Sequence, residues 1–258
     1  MTTGQLTVPA GRLPALVPGA CQVWWARPDD VASEHDALLS PDELQRRCRI
    51  LRAADRERFT AGVVVVRTVL GVHAGRPPDA LRIDRTCPLC GRQHGKPHLP
   101  EVPDLQFSVS HSAGCVVVAV GRGAPVGIDV EHVASWDAAD LDEVAQLTLA
   151  REERAVVSRQ PAGLRAAAFT TYWTRKEAAV KATGAGLTAP LDEIVVSAPT
   201  APPRVLRWSD PAGGNPPVLR TLRPPAGFAA ALAVAGGMPA SVVELDAGPL
   251  LRALSAAG

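Results

Sequence analysis

The sequence lacks several features that would assign it to whole classes of protein. No apolar run in its 258 residues approaches the roughly 20 residues that a membrane-spanning helix needs. Its first residues show no basic region followed by an apolar stretch, so we expect no signal peptide. The cysteines number five, an odd count in a long chain, which argues against a disulfide framework. A reducing cytoplasm is therefore the expected compartment.

An excess of charge of one sign is also missing. The chain has 27 Lys and Arg against 26 Asp and Glu, and its net charge of +1 gives no general case for binding nucleic acid or a membrane. At 47% hydrophobic and 21% charged residues, the composition is that of an ordinary globular protein. A Gly- and Pro-containing turn at 121–125 is the best boundary, and it predicts two α+β halves, 1–122 and 123–258.

Hydrophobic periodicity and turn residues predict an alternation of helices and strands. Ser40, Pro41 and Glu43 have the spacing of a capping box and predict the start of the first helix. The other predicted elements are helices over 55–70 (ending at Gly71), 138–158 and 162–183, and strands over 21–26, 107–109, 115–120, 126–131, 194–197, 205–208, 218–222, 228–234 and 241–245.

Two acidic residues share one face of the predicted strand 126–131. Residues i and i+2 of a strand point the same way, about 6.5–7 Å apart, so Asp129 and Glu131 are neighbours while Ile128 and Val130 occupy the other face. Two adjacent like charges are unfavourable unless they are neutralised, and Mg²⁺ prefers such oxygen ligands. Taken alone, the pair fits a solvated edge strand with surface acids equally well.

The predicted helix 162–183 carries a second charged pair. Trp173, Glu177 and Lys181 are spaced i, i+4 and i+8 and so lie on one stripe. A Glu–Lys pair at this spacing is usually a weak surface salt bridge. Here the stripe follows Phe169 and Tyr172, and large aromatic residues favour an inward orientation. We therefore expect Glu177 and Lys181 to be partly shielded and to need partners.

Four short motifs stand in a defined order along the chain. They are Gly95-Lys96-Pro97, then Phe107-Ser108-Val109-Ser110-His111-Ser112, then Gly127-Ile128-Asp129-Val130-Glu131, and Trp173-x-x-Lys176-Glu177-Ala178-x-x-Lys181-Ala182-x-Gly184. In this order and separation they resemble the signatures of the 4′-phosphopantetheinyl transferases of the larger, Sfp-like type. The resemblance covers roughly residues 40–195, and the last motif is specific in itself.

The resemblance implies a fold and a reaction. The implied fold is α+β, with two pseudo-symmetric halves and the coenzyme A site in the cleft between them. The implied reaction moves the phosphopantetheine group of coenzyme A onto a serine of an apo acyl or peptidyl carrier protein and releases 3′,5′-ADP. The family is also typically monomeric and serves nonribosomal peptide, polyketide or fatty-acid synthases.

The same resemblance implies roles for the acidic and basic residues. Asp129, Glu131 and Glu177 match the Mg²⁺ ligands of the family, although Mn²⁺ suits oxygen ligands as well. Glu177 also matches the base that activates the carrier serine, directly or through a metal-bound water. Lys181 matches the residue that contacts the pyrophosphate and assists the leaving group, and Lys176 is expected near it.

The remaining implied contacts bind the phosphates and the nucleotide of coenzyme A. Lys96 matches a residue near the nucleotide, and Ser110 and His111 match residues that contact the phosphates; Asp129, Lys176 and Lys181 belong to the same predicted site. Arg46, Arg49 and Arg58 fall where the family places cationic contacts to the 3′-phosphate, which Arg binds bidentately. The alternative for these arginines is a solvated helical face.

Cys87-Pro88-Leu89-Cys90, followed by His94, resembles half of a zinc site. A structural zinc ion takes four ligands, and the chain has no second Cys-x-x-Cys. Cys115 and His98 could be added only without support from the sequence. The interpretation that we favour at this point is a plain loop carrying two thiols, and the zinc site stays open.

Three other functions use the same residues differently. A Mg²⁺-dependent phosphohydrolase of nucleotides or coenzyme A would employ the acidic cluster with water as the nucleophile. A non-catalytic module would bind carrier proteins or coenzyme A, although such a module has no need of Asp129, Glu131, Glu177 and Lys181 together. A zinc-ribbon nucleic-acid binder is weakened by the nearly neutral net charge.

Overall fold

The computed structural model describes residues 6–7, 13–88, 90–186, 189–209, 214–237, 239 and 241–255. The chain divides into two compact units, the first made of Met1–Gly123 with Pro239–Gly258 and the second of Ala124–Met238. This division begins within two residues of the expected boundary but differs at the end of the chain, which returns to the first unit. In the described ranges, no helix combines the length and apolarity that crossing a bilayer would take.

The described residues form ten strands and six α-helices, a mixed architecture that confirms the predicted α+β class. The strands are β1 (Leu6–Thr7), β2 (Ala20–Ala26), β3 (Leu105–Ser112), β4 (Cys115–Arg122), β5 (Val126–His132), β6 (Val195–Val196), β7 (Val205–Arg207), β8 (Val218–Thr221), β9 (Phe228–Val234) and β10 (Ser241–Asp246). The helices are α1 (Pro41–Cys48), α2 (Ala53–Ala74), α3 (Ala138–Thr148), α4 (Arg151–Ser158), α5 (Ala162–Thr183) and α6 (Gly248–Ser255).

The first unit is built on a five-stranded sheet of order β1-β10-β2-β4-β3. β10 runs parallel to both of its neighbours, whereas β2, β4 and β3 pair antiparallel. The end of the chain returns to this unit because β10 pairs with β2 from Ser241↔Ala20 to Asp246↔Trp25. Valines of α2 and the strand residues Phe107 and Val118 form the core under this sheet.

Helices α1 and α2 are joined by a buried ion pair. The predicted capping box is confirmed: Ser40 Oγ accepts a hydrogen bond from the Glu43 amide at 3.3 Å, and Glu43 Oε2 accepts one from the Ser40 amide at 2.8 Å. The same Glu43 oxygen accepts from Nε of the buried Arg67 at 2.7 Å. Arg67 is thereby satisfied inside the protein, and α1 is held against α2.

Helix α2 is longer than the sequence pattern predicts. The expected end at Gly71 is wrong, because the helix continues to Ala74 and is closed by Gly75 with φ +64°. Gly71 does not end the helix but allows the backbone at Arg76 to approach the helix closely. A Cβ at this position would lie 2.9 Å from the carbonyl oxygen of Arg76, where the chain folds back after the helix.

The second unit combines a three-stranded antiparallel sheet, β5-β9-β8, with the hairpin pair β6-β7 and helices α3 to α5. The predicted helix 138–158 breaks into two, and the Glu153 side chain caps the second by accepting the Ala150 amide at 2.9 Å. The predicted helix 162–183 is confirmed, and Gly184 ends it with φ +79°.

Candidate active site

Strand β5 and helix α5 approach each other unusually closely. A Cβ on Gly127 would lie 2.1 Å from the Ala178 carbonyl oxygen and 2.2 Å from the Ala182 amide nitrogen, so only glycine fits at this point of the strand. Ala231 and Ala233, which pair with β5 on the neighbouring strand, are small as well. These small residues let the helix backbone lie directly on the sheet, beside the acidic end of β5.

The close approach brings the two predicted charged pairs together. Lys181 Nζ donates to Asp129 Oδ1 at 2.6 Å. Asp129 is buried, and Ile128 and Val130 on the opposite face of the strand are buried too, as the alternation predicts. Lys181 keeps 31% of its side chain exposed.

The charges of this site shift one another's protonation. Burial, and then the negative charge of Asp129, raise the pKa of Glu177, while Lys181 partly opposes the shift. Burial alone would lower the pKa of Lys181, but the carboxylates of Asp129, Glu177 and Glu131 outweigh it and raise that pKa. Glu177 is therefore a stronger base than an exposed glutamate, and Lys181 remains a cation at any physiological pH.

The donor set of this site suits a hard divalent cation. Asp129, Glu131 and Glu177 all act on the charge of Lys181, and their carboxylates offer the oxygen ligands that Mg²⁺ prefers. Among the described residues, however, these three do not form a group whose oxygens all lie within 4.8 Å of one another. Lys181 holds Asp129 in this structure, and a metal ion would compete with it.

Lys176 does not join the site, and its burial contradicts the predicted contact with coenzyme A. Its side chain is 1% exposed and forms an ion pair with the equally buried Glu153. Its ammonium group also donates to the carbonyls of Thr148 at 2.8 Å and Leu191 at 2.9 Å. These three acceptors use all three donors, so Lys176 stabilises the second unit from within.

An aromatic cluster supports the helix that carries Glu177. The ring of Trp173 lies 5.5 Å from that of Trp136 and 6.0 Å from that of Phe169. Trp136 and Phe169 meet edge to face at 4.9 Å, the arrangement that aromatic pairs favour. Through these contacts Trp173 packs within the second unit and supports the helix.

In the first unit, two of the three predicted phosphate-binding arginines line a groove of about 1060 Å³. We call it the arginine groove, after its lining residues Arg46, Arg49, Arg82 and Arg85. The Arg46 guanidinium lies over the ring of Phe59, 5.5 Å from its centroid. Burial, and then the nearby charge of Arg46, lower the pKa of Arg85. The two cations are thus close enough to repel, and a bound anion would relieve that repulsion.

Sequence reasoning missed Arg82 and Arg85. They lie about 36 to 39 residues from Arg46 in a segment without regular spacing, so only the fold reveals the grouping. Acidic residues line the groove as well and equal the arginines in number: Asp42, Glu43, Asp79, Asp84 and Glu101. Two of them are paired with arginines, Glu43 with Arg67 at 2.7 Å and Glu101 with Arg76 at 2.6 Å. The groove is therefore of mixed charge.

Arg58, the third predicted arginine, is not among the residues that line the groove. It forms an ion pair with Asp55, and its Nη1 donates to the Ala113 carbonyl at 2.9 Å. Ala113 belongs to the turn between β3 and β4, directly after the motif that contains Ser110 and His111. The structure thus places Arg58 beside that motif.

The motif residues Lys96, Ser110 and His111 also lie in the first unit. Ser110 and His111 are consecutive on β3, so their side chains point to opposite faces of the sheet, Ser110 buried and His111 exposed. Lys96 is partly buried, and burial lowers its pKa to about 8. It follows Gly95, whose amide donates to the carbonyl of Arg85 at 2.7 Å, so Lys96 is tied to the segment that lines the arginine groove.

Comparison with known proteins gives three results. A family model described as the 4′-phosphopantetheinyl transferase superfamily matches residues 125–233. The 4′-phosphopantetheinyl transferase HetI of Nostoc sp. is 33% identical over 217 residues, 81% of this chain and 84% of HetI. The 4′-phosphopantetheinyl transferase Sfp of Bacillus subtilis is 27% identical over 160 residues, 62% of this chain and 66% of Sfp. Since neither unit has 217 residues, the similarity to HetI extends across both.

Proposed function

The chain belongs to the 4′-phosphopantetheinyl transferase superfamily, and from that premise we propose how it transfers the 4′-phosphopantetheine group of coenzyme A to a serine of apo acyl or peptidyl carrier proteins. The observation that carries the proposal is the contact of Lys181 with Asp129, next to a glutamate of raised basicity. The relatives supply the reaction class, and these residues supply the groups that it needs.

Glu177 acts as the base in the proposed reaction. A serine hydroxyl is a poor nucleophile near neutral pH, so a positioned carboxylate that takes its proton assists the attack. The serine oxygen forms a bond to the phosphorus of the phosphopantetheine group while the bond from that phosphorus to 3′,5′-ADP breaks. The displaced electron pair stays on the ADP phosphate, and Lys181 balances the negative charge that develops there.

We assign a Mg²⁺ ion to Asp129, Glu131 and Glu177, with Mn²⁺ as a substitute of the same ligand preference. When bound, the ion supplies Lewis-acid polarisation of phosphoryl oxygens. Support comes from the all-oxygen donor set and from the repulsion between Asp129 and Glu177, which, after burial, raises the pKa of Glu177 and which a cation would relieve.

For the nucleotide end of coenzyme A we propose the arginine groove together with Lys96. Arg46 and Arg85 are close enough for the charge of one to lower the pKa of the other, and a dianionic 3′-phosphate would bridge them. Arg49 lines the same groove. We also propose that the phosphates of coenzyme A are contacted by Arg58, Ser110 and His111. Ser110 and His111 lie on β3, and Arg58 is bound to the turn between β3 and β4.

Cellular context is proposed from the resemblance alone. We propose a cytoplasmic monomer that modifies carrier domains of nonribosomal peptide, polyketide or fatty-acid synthases. We propose that the carrier protein docks on the segment between Glu131 and Pro161. In this segment the apolar side chain of Leu147 on α3 is 69% exposed and can be buried by a partner.

Intact-mass spectrometry tests the reaction directly. An apo carrier protein incubated with the enzyme, coenzyme A and Mg²⁺ should gain about 340 Da, one phosphopantetheine on a serine. The gain should vanish with EDTA, because the metal is required. Consumption of coenzyme A without any mass gain on several carrier types would contradict transfer and indicate a hydrolase.

Replacing Arg46 and Arg49 together by alanine should weaken binding of the 3′-phosphate. Charge-assisted hydrogen bonds contribute about 1.5–3 kcal/mol each, so we expect the loss of two to raise KM for coenzyme A about 100-fold or more with kcat nearly unchanged. Dephospho-coenzyme A lacks the 3′-phosphate, and its KM should change far less. Arg151→Ala, at an exposed arginine of α4, is the control. Equal increases for both substrates would remove the 3′-phosphate assignment.

Lys96 should make kcat/KM for coenzyme A decrease at alkaline pH. Its pKa is lowered to about 8, so the ammonium is charged below that pH and becomes neutral above it. We expect kcat/KM for coenzyme A to fall as pH rises through about 8, because this constant reports groups of the unliganded enzyme. Lys96→Arg keeps its charge and should move the decline to higher pH. If kcat/KM of a Lys96→Met variant falls with pH as it does in the wild type, the fall is caused by another group.

A further inference from the structure

A cluster of potential metal ligands lies in the first unit outside the proposed active site. One ligand atom from each of Cys87, Cys90 and His94 lies within 4.8 Å of the other two. Cys90 Sγ is 2.9 Å from His94 Nε2. Cys87 is buried, while Cys90 and His94 are exposed at the surface. Among the described residues, no other His, Cys, Asp or Glu completes this group.

The backbone holds these three side chains in place. The Gly91 amide donates to the Cys87 carbonyl at 2.9 Å, and the Cys87 amide donates to the Arg92 carbonyl at 2.7 Å. Gly91 has φ +70°, a conformation that glycine adopts without strain. The result is a tight turn in which the two cysteines, three residues apart, face the histidine four residues further on.

We propose that Cys87, Cys90 and His94 bind one Zn²⁺ ion, with water as the fourth ligand, and that this ion clamps the loop that carries Lys96. Zinc is bound at about 2.3 Å by thiolate sulfur and about 2.0 Å by imidazole nitrogen, so tetrahedral ligands stand about 3.5–3.8 Å apart. The 2.9 Å between Cys90 Sγ and His94 Nε2 is shorter than this, and every pair lies within 4.8 Å, so small side-chain rotations reach the tetrahedral separations. The exposed side of Cys90 and His94 admits the water.

The charges around the cluster favour the metal-bound form. Thiolates bind zinc and thiols do not, and nearby cations stabilise thiolates. Arg85 and Arg92 flank the cysteines in the sequence, and Lys96 follows His94 by two residues. A site of two thiolates, one neutral imidazole and Zn²⁺ has no net charge. It therefore does not repel the phosphate that the neighbouring arginine groove is proposed to bind.

The position of the cluster in its loop suggests what the metal would do. The loop is anchored where Asp84 and His98 exchange two backbone hydrogen bonds of 3.0 Å. From this anchor the chain continues into Arg85, which lines the arginine groove, and it comes back to the anchor through Lys96. Zinc would join both arms of the loop, from Cys87 to His94, and hold Arg85 and Lys96 in a fixed relation. This consequence rests on the proposed function, whereas the metal site itself does not.

Metal content is the direct test of the site. The protein is purified without a polyhistidine tag, stripped with EDTA, incubated with Zn²⁺, passed over a desalting column and analysed by inductively coupled plasma mass spectrometry. We expect about one equivalent of zinc per chain in the wild type, bound with release of protons and therefore more weakly at acidic pH. Replacing zinc by Co²⁺ should produce the thiolate-to-cobalt charge-transfer band of a sulfur-ligated site.

The informative variants are Cys90→Ser and His94→Ala, because both side chains are exposed and their loss should leave the fold intact. Cys48→Ser, at an exposed cysteine of α1, is the matched control. We expect the two site variants to lose the zinc and the cobalt band, and the control to keep both. Equal metal content in all four proteins, or a Cys87–Cys90 disulfide that forms in place of metal binding, would overturn the proposal.

Kinetics test the clamp separately from the site. Loss of zinc in Cys90→Ser should raise KM for coenzyme A several-fold and leave kcat nearly unchanged. An unchanged KM in a zinc-depleted variant would overturn the clamp. If the wild type binds zinc but modifies no carrier protein, the proposed function fails while the metal site stands, so the two failures are distinguishable.

Discussion

Asp129→Asn should lower kcat for carrier modification by about a thousandfold or more, because several kcal/mol of transition-state stabilisation depend on this carboxylate. Asparagine keeps the shape of the side chain but removes a proposed metal ligand and the charge that holds Lys181 at 2.6 Å. The pKa of Lys181 should fall, since Asp129 contributes most to raising it. Rates are measured by the mass gain of the carrier protein at saturating Mg²⁺.

The fold should survive this substitution. Asp129 raises the pKa of Glu177 by repulsion, so removing its charge relieves an unfavourable interaction in the metal-free protein. The substitution also removes the ion pair with Lys181 at 2.6 Å, which opposes this gain, so we expect a Tm close to that of the wild type. Glu143→Gln, at an exposed acid of α3, is the control and should have no effect on rate or Tm. A wild-type-like kcat for Asp129→Asn would refute the metal assignment.

Gly127→Ala should destabilise the second unit and abolish transfer, although the change adds a single methyl group. That methyl would lie 2.1 Å from the Ala178 carbonyl oxygen, so strand β5 and helix α5 must separate. Overpacking costs about 1–3 kcal/mol in ordinary cores, and we expect the upper end here because backbone atoms cannot rotate away. Urea unfolding followed by circular dichroism measures the loss of stability.

A glycine of helix α5, the partner of strand β5 in this close approach, provides the matched control. Gly163 lies in the first turn of α5, and a Cβ there would meet nothing within 4 Å. Gly163→Ala should stabilise the protein by about 0.5–1 kcal/mol through backbone entropy and leave transfer intact. Similar unfolding midpoints for Gly127→Ala and the wild type would show that the close approach does not constrain this position.

The sequence predicts local structure well where local signals are strong. Helix α5 begins and ends where expected, because an apolar stripe runs along it and Gly184 closes it. The capping box at Ser40 and the inward face of Ile128 and Val130 are likewise decided by neighbouring residues. The predicted end of α2 was wrong because Gly71 makes room for the carbonyl of Arg76, where the chain folds back after the helix, and so does not end the helix itself.

The candidate site could be predicted only in part, for similar reasons. The motifs correctly bring Asp129 and Lys181 together, since one strand and one helix carry them. Lys176 lies next to Glu177 in the motif, but each helical residue turns about 100°, and its partner Glu153 lies on another helix. Arg85 meets Arg46 through the packing of a loop without regular periodicity, so sequence spacing gives no signal for it.

The position of β10 determines the order in which the protein can be completed during translation. Strand β2 leaves the ribosome early, but its partner β10 is synthesised more than 200 residues later, after all of the second unit. Until then β2, with the sequence Ala-Cys-Gln-Val-Trp-Trp-Ala, presents an open apolar edge. The second unit carries its own sheet and core, so it can fold on the nascent chain first. Residues 241–246 then close the sheet of the unit that emerged before it.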